Sequence, residues 1–141
     1  MRVVLDTNVI VSLRLWKGAL DALRSRLNRR TLVPCFTPDT ISELLRVASY
    51  PRIRRQADRM SVDLRSLLTR LIEAGAIVKP VEIPRTIPED ASDEMFLACA
   101  VAARADFIIS GDRHLQRIKV FRGIPILSPR AFEDLLKRHR F

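Results

Sequence analysis

The sequence predicts an α/β protein, specifically a three-layer α/β/α sandwich with a central parallel β-sheet. Residues 3–5 and 107–109 are short runs of β-favouring apolar residues, which are typical of strands buried on both faces of a parallel sheet. Such strand candidates alternate along the chain with segments whose apolar residues have helical spacing. A chain of 141 residues can bury a sizeable core without disulfides, so we expect one domain over residues 1–141.

The first half of the chain continues this alternation of strands and helices. The strand at 3–5 is followed by a predicted helix at 19–28 and a short strand at 32–33. Thr37 and Pro38 predict the N-cap and the first position of the next helix. We expect this helix to end before the next proline and to carry on its apolar side Ile41, Leu44, Leu45 and Ala48.

The second half begins with a helix, then a loop, and returns to strands. Ser61 is expected to cap a leucine-rich helix that Gly75 ends. Three prolines exclude regular structure over residues 79–90, and neither flank of this loop could form its own core. The remaining predicted elements are a strand at 76–78, a helix at 91–103, strands at 107–109 and 124–127, and a C-terminal helix that starts at Ser128 and Pro129.

The composition limits the partners and the compartment. A formal net charge of +9 and a pI near 10.9 favour a polyanionic partner such as nucleic acid, although a solvated arginine-rich surface would give the same numbers. Cys35 and Cys99 lie in apolar segments and are expected to be small buried hydrophobes in a reducing compartment. No apolar run reaches the ~20 residues that span a bilayer, and the first residues lack a signal peptide. We therefore expect a cytoplasmic protein with no membrane contact.

Four carboxylates are expected at one edge of the predicted sheet. Asp6 and Asp112 come directly after buried strands, Asp93 lies in the first turn of a helix, and Glu43 lies early in another. In a parallel sheet every strand ends at the same edge, where the following helix begins. Carboxylates gathered there repel one another unless a cation offsets their charge, and oxygen ligands without histidine or cysteine suit Mg²⁺ or Mn²⁺. The pattern therefore predicts a metal site that could activate water against a phosphodiester.

Each of these residues, taken alone, also has an ordinary structural interpretation. An aspartate after a strand is often a helix N-cap, which applies to Asp6 and to Asp112. Asp93 could simply favour the helix dipole, and Glu43 could be a surface glutamate. Only their joint occurrence at one edge favours a metal site. Likewise, the arginines at 52, 54, 55 and 59 are either a solvated helix face or a phosphate-binding face.

Four stretches of the chain carry a resemblance to a known family. They are Val-Val-Leu-Asp-Thr-Asn-Val-Ile at 3–10, Ser-Glu-Leu-Leu-Arg-Val at 42–47 with Tyr-Pro-Arg-Ile at 50–53, Asp-Glu-Met-Phe-Leu-Ala-Cys-Ala at 93–100, and Ala-Asp-Phe-Ile-Ile-Ser-Gly-Asp-Arg-His-Leu at 105–115 with Ile-Leu-Ser-Pro at 126–129. In order and spacing they resemble the PIN-domain family. The chain is most similar to its branch of small prokaryotic toxins from toxin–antitoxin pairs, akin to the VapC toxins.

This resemblance implies an activity, a cofactor and partners. It implies a cytoplasmic endoribonuclease that cleaves RNA with one or two Mg²⁺ or Mn²⁺ ions, is restrained by a cognate antitoxin and pairs as a homodimer. A catalytically silent module of the same fold that binds RNA or an antitoxin is the alternative. It would bind without cleaving, and its affinity would survive or rise when the carboxylates are neutralised.

The resemblance also assigns roles to individual residues. Asp6, Glu43 and Asp93 match the three core acidic residues, and Asp112 matches the fourth, more variable one. All four belong to the metal site: the aspartates as direct or water-bridged ligands, and Glu43 by shaping the site or orienting the attacking water. Thr7, Asn8 and Ser110 match polar positions beside these acids, and Asn8 and Ser110 would each fix a carboxylate by a hydrogen bond. From their positive charge, and not from the resemblance, RNA phosphates are expected to be bound by Arg52, Arg54, Arg55 and Arg113.

Two neighbouring acids could take the role that the resemblance gives to Asp93. Asp90 and Glu94 lie close to Asp93 in sequence, and each could in principle reach the site. Asp93 is preferred because it lies three residues before Phe96 on the sheet-facing stripe and because the family motif has its acid there. Relatives are often more acidic in this stretch, whereas Ala91 and Ser92 are neutral, which weakens the expectation of a second metal position.

Overall fold

A computed structural model describes residues 1–15, 19–84 and 93–139 of the chain. Its elements, in chain order, are β1 (Arg2–Leu5), α1 (Thr7–Leu15), α2 (Asp21–Asn28), β2 (Val33–Phe36), α3 (Pro38–Ala48), α4 (Pro51–Arg59), α5 (Leu64–Ala74), β3 (Ala76–Ile77), α6 (Glu94–Ala103), β4 (Phe107–Ile109), α7 (Arg113–Ile118), β5 (Val120–Phe121), β6 (Ile124–Leu127) and α8 (Pro129–Arg138). The predicted loop at 79–90 and helix at 91–103 extend beyond these described ranges.

The strands form one mostly parallel sheet in the order β3-β2-β1-β4-β6-β5. β1 pairs in parallel with β2 on one side and with β4 on the other, and β4 pairs in parallel with β6. Among the strands of the described residues, only the short edge strand β5 is antiparallel, through its pairing with β6. Because β1 and β4 are neighbours in the centre of the sheet, their carboxyl ends, and the residues that follow them, lie side by side.

Helices cover both faces of the sheet, which confirms the predicted α/β/α sandwich. Val3, Leu5 and Ile109 face a core that includes buried residues of α1, α2, α3, α5 and α8. Val4 and Ile108 point the opposite way, as alternate residues of a strand must, and pack with α6 and α7. Both cysteines are free and buried, as expected, and burial raises the pKa of the Cys99 thiol to about 12. In the described part of the chain, no helix is long and apolar enough to cross a bilayer.

Several elements differ from the sequence-based expectation. The helix α1 was not predicted, because Val9, Ile10, Val11, Leu13 and Leu15 are all buried and leave no polar face to give an amphipathic pattern. On α3 the buried stripe is Thr40, Leu44 and Val47, so that Leu45 is exposed. Asp63, not Ser61, caps α5, and its Oδ1 accepts from the backbone N–H of Ser66 at 3.2 Å.

Gly75 is required by the close approach of α5 to the sheet. A Cβ at this position would lie 2.3 Å from the backbone oxygen of Pro34 and 2.9 Å from the Phe36 ring. Both contacts are shorter than van der Waals distance, and the backbone oxygen belongs to β2 and cannot move freely. The residue that ends α5 therefore also lets the chain enter β3 directly beside β2.

Candidate active site

Asp6 lies at the carboxyl end of β1 and is 6% exposed. Its backbone N–H donates to the carbonyl oxygen of Ile109 at 3.0 Å, which extends the pairing of β1 with β4 by one residue. Its Oδ1 accepts from the backbone N–H of Val9 at 3.0 Å, and its Oδ2 accepts from the Ser110 hydroxyl. Asp6 thus supports the start of α1, as the ordinary interpretation predicted, while its other oxygen faces the residue that follows β4.

Burial raises the pKa of the Asp6 carboxyl above its ordinary value. The hydrogen bonds from Ser110, Val9 and the backbone of Gly111 partly oppose this rise, and the negative charge of Asp112 adds to it. No lysine or arginine among the described residues forms an ion pair with Asp6. A cation at this position would therefore compensate a buried charge that has hydrogen bonds but no cationic side chain beside it among the described residues.

Ser110 connects Asp6 to Asp112. Its hydroxyl donates to Asp6 and accepts from the backbone N–H of Asp112 at 3.0 Å, and its side chain is fully buried. Asp112 is the N-cap of α7, and its Oδ1 accepts from the N–H groups of His114 at 2.7 Å and Leu115 at 3.2 Å. Its Oδ2 accepts no hydrogen bond from the described residues. Asp112 therefore caps α7 with one carboxylate oxygen, and the other oxygen is available to a further partner.

Asp93 lies at the start of α6 and, like Asp6, is 6% exposed. It is the N-cap residue of α6, but its side chain makes no capping hydrogen bond to this helix. α6 packs on β1 and leads into β4, which runs parallel to β1, so its first residue lies at the edge where the strands end. Of the alternative acids, Glu94 is the first residue of α6, and Asp90 lies outside the described residues, as do Ala91 and Ser92.

Glu43 forms an ion pair with Arg46, a residue that the sequence analysis did not include in the site. Its Oε1 accepts from Nη2 of Arg46 at 2.7 Å, and its Oε2 accepts from Nη2 at 2.8 Å and from Nε at 3.1 Å. The bonds and the charge of Glu43 raise the pKa of the Arg46 guanidinium. The spacing of three residues on one helix was the available signal for this pair, since such residues are neighbours on a helix surface.

The polar residues beside the first acid have different positions. Thr7 is buried, and its Oγ1 has no hydrogen-bond partner among the described residues. Asn8 is exposed and makes no hydrogen bond to a carboxylate in the described ranges. The structure therefore corrects the prediction that Asn8 fixes a carboxylate. The reason is that α1 begins at Thr7, and the helical turn points the next residue to solvent. Ser110, by contrast, makes the expected bond to Asp6.

The arginines predicted to bind phosphate are all on the surface. Arg52, Arg54 and Arg55 are exposed on α4, whose Ile53 and Ala57 face the core. Arg113 is exposed at the start of α7, directly after Asp112. It is therefore adjacent in sequence to one of the candidate acids.

The described residues fit a hard divalent cation that keeps much of its water. Within the described ranges, no three histidine, cysteine, aspartate or glutamate side chains are grouped closely enough to hold a metal ion. Mg²⁺ is nevertheless commonly bound by one or two carboxylates and several waters. The uncompensated carboxylate of Asp6, the free oxygen of Asp112 and the unpartnered buried hydroxyl of Thr7 are all oxygen donors of the kind that such an ion prefers.

Comparison with models of known families gives a match over most of the chain. The family model of the PIN domain matches residues 2–114. Among solved structures, the chain is similar to the one titled "Structure of the PIN domain endonuclease Utp24", with 21% identity over 90% of this chain and 84% of that chain and a TM-score of 0.49. No curated protein sequence matches the chain.

Proposed function

This chain belongs to the PIN domain family, and we propose that it is a Mg²⁺- or Mn²⁺-dependent endoribonuclease that cleaves phosphodiester bonds of RNA. The observation that carries this proposal is the buried Asp6, joined through Ser110 to Asp112 and lacking a cationic partner among the described residues. Asp93 is equally buried and lies at the same edge of the sheet. A buried carboxylate whose pKa is raised by desolvation, such as Asp6, is a candidate functional residue.

The proposed roles follow the resemblance to the PIN-domain family, and the contacts of Asp6 with Ser110 and of Ser110 with Asp112 support them. One or two bound ions would supply positive charge to the scissile phosphodiester and acidify a water molecule. Asp6, Asp93 and Asp112 would hold the ion, and the Ser110 hydroxyl fixes the orientation of Asp6. Glu43 would orient the attacking water.

The substrate class is inferred from charge. The chain carries a formal net charge of +9, while four of its acids are committed to the proposed site. Arg52, Arg54 and Arg55 on α4 and Arg113 on α7 are exposed and would contact a phosphate backbone. Such contacts would hold RNA without reading its sequence.

The first test is cleavage of a single-stranded RNA with added Mg²⁺ or Mn²⁺. We expect cleavage by the wild type, its loss in excess EDTA, and a rate at least about 100-fold lower for Asp93→Asn, because several kcal/mol of charge stabilisation would be removed. Asp134→Asn is the matched control, since it removes an exposed carboxylate from α8. RNA that is bound but not cut by the wild type would favour the silent binding module instead.

We further propose that the chain is the toxin of a toxin–antitoxin pair, acting as a cytoplasmic homodimer that a cognate antitoxin restrains. The resemblance of its motifs to the small prokaryotic toxin branch supports this role. Induced expression in a bacterium should stop growth, and the Asp93→Asn variant, expressed to the same level, should not. Equal growth arrest by both variants would contradict a toxicity that depends on cleavage.

A further inference from the structure

Arg46 holds Glu43 with an unusually complete set of hydrogen bonds. Both residues lie on α3, and the guanidinium donates to both carboxylate oxygens at 2.7, 2.8 and 3.1 Å. Such two-pronged contacts between arginine and a carboxylate are the stronger and more directional form of ion pair. The orientation of the Glu43 carboxylate is therefore defined by Arg46.

Tyr50 holds the same guanidinium from another side. Nη1 of Arg46 donates to the Tyr50 hydroxyl, and the guanidinium carbon lies 5.4 Å from the centre of the ring. The backbone of Tyr50 is held in place, because its N–H donates to the carbonyl oxygen of Val47 at 3.1 Å and Pro51 follows it as the first residue of α4. The three side chains, Glu43, Arg46 and Tyr50, form a cluster that we call the α3 clamp.

The α3 clamp lies across the boundary between protein and solvent. The Arg46 side chain is 56% exposed, whereas the Glu43 side chain is only 18% exposed. An exposed ion pair usually adds between 0 and about 1 kcal/mol to stability. We therefore expect the α3 clamp to add little to stability. Its main effect is to occupy the oxygens with which Glu43 could bind another partner.

We propose that Arg46 is a positioning residue that keeps Glu43 from binding the metal ion directly, so that Glu43 acts on the reaction through a water molecule. This inference rests on the proposed nuclease function. Both Glu43 oxygens already accept hydrogen bonds from a cation, and a divalent ion on the same carboxylate would be repelled by the guanidinium or would have to displace it. Asp6, Asp93 and Asp112 can supply the one or two carboxylates that Mg²⁺ needs.

The test measures Mn²⁺ affinity of the metal-free protein by calorimetry, next to kcat and KM for RNA cleavage. For Glu43→Gln we expect a change in Mn²⁺ affinity below about fivefold and a kcat lowered by at least about tenfold, because loss of an orienting group affects the rate. For Arg46→Gln we expect tighter Mn²⁺ binding together with a lower kcat, because the released carboxylate can then join the ion. Tyr50→Phe, which keeps the ring, should shift both quantities in the same direction by a smaller amount.

Three comparisons separate this inference from general charge effects and from failure of the proposed function. Arg59→Gln removes one positive charge from the exposed surface of α4 and should tighten Mn²⁺ binding less than Arg46→Gln does. The double variant Glu43→Gln/Arg46→Gln should lose the extra tightening. Weaker Mn²⁺ binding by more than about fivefold in Glu43→Gln, or equal effects of Arg46→Gln and Arg59→Gln, would overturn the positioning role. If Asp6→Asn leaves Mn²⁺ binding unchanged, it is the metal-dependent function that fails.

Discussion

Asp6→Asn is expected to abolish RNA cleavage without harming the fold. Asparagine has the same shape as aspartate, and its amide oxygen can still accept from the backbone N–H of Val9, as a helix cap does. Its amide nitrogen can donate to the Ser110 hydroxyl, so the hydrogen bond at that position is kept with its direction reversed. The negative charge is lost, and we expect the cleavage rate to fall by at least about 100-fold.

The same substitution should increase the stability of the metal-free protein at neutral pH. Burial raises the pKa of Asp6 in the folded state above its ordinary value of 3.8. The contribution of Asp6 to stability is then complete below pH 3.8 and is lost as the pH rises through the raised pKa, because the unfolded chain ionises more easily. Asparagine does not ionise, so the advantage of Asp6→Asn over the wild type should be largest near pH 7 and should shrink as the pH falls.

Unfolding by urea in EDTA between pH 4 and pH 8 measures this difference. Asp6→Ala is the informative comparison, because it removes the charge and also the cap on α1, which is worth about 1 kcal/mol. Added Mn²⁺ should raise the Tm of the wild type and leave that of Asp6→Asn unchanged, since a ligand stabilises only the state that binds it. If Asp6→Asn is less stable than the wild type in EDTA at pH 7, the ionised carboxylate stabilises the fold, which would contradict this prediction.

The sheet and its carboxylate edge were predictable because they follow from local signals and simple topology. The strands at 107–109 and 124–127 were predicted with the bounds that the structure has, and the strand at 3–5 is longer by one residue. Parallel pairing of β1 with β4 then places Asp6 beside the residues after Ile109, which is how Ser110 reaches it. The sequence predicted the shared edge from parallel pairing alone, whereas the structure supplied the position of β1 beside β4, which brings Asp6 and Ser110 together.

The details that the sequence analysis missed depend on which side of each helix faces solvent and on side-chain rotamers. The start of α1 at Thr7 points Asn8 to solvent, and because six of the nine residues of this helix are buried, no amphipathic pattern reveals that rotation. In the same way, the buried stripe of α3 leaves Leu45 exposed. The bond of Arg46 to Glu43 depends on rotamers, so the spacing of the two residues permits the pair but does not require it.

Glu133 is a buried carboxylate outside the active site and is expected to be a large contributor to stability. It is 5% exposed on α8, between residues that mark an amphipathic surface helix, so its sequence context gives no sign of burial. Its Oε1 accepts from the backbone N–H of Leu23 at 2.9 Å, and its Oε2 accepts from that of Ala22 at 3.1 Å. No side chain caps α2 from within, because Leu20 at its N-cap is apolar, so Glu133 satisfies these donors from another helix.

Glu133→Ala should lower the free energy of unfolding by about 3 kcal/mol, because two N–H groups at the start of α2 would lose a charged acceptor and one of them is buried. Glu133→Gln keeps an oxygen for one of these groups and should lose about half as much. Asp134→Ala, on the exposed side of the same helix, should change stability by less than about 0.5 kcal/mol. Urea unfolding at pH 7 compares the three. A loss in Glu133→Ala no larger than in Asp134→Ala would mean that water can replace the carboxylate, and that the apolar contacts and the hydrogen bonds of Arg26 are enough to hold α2 and α8 together.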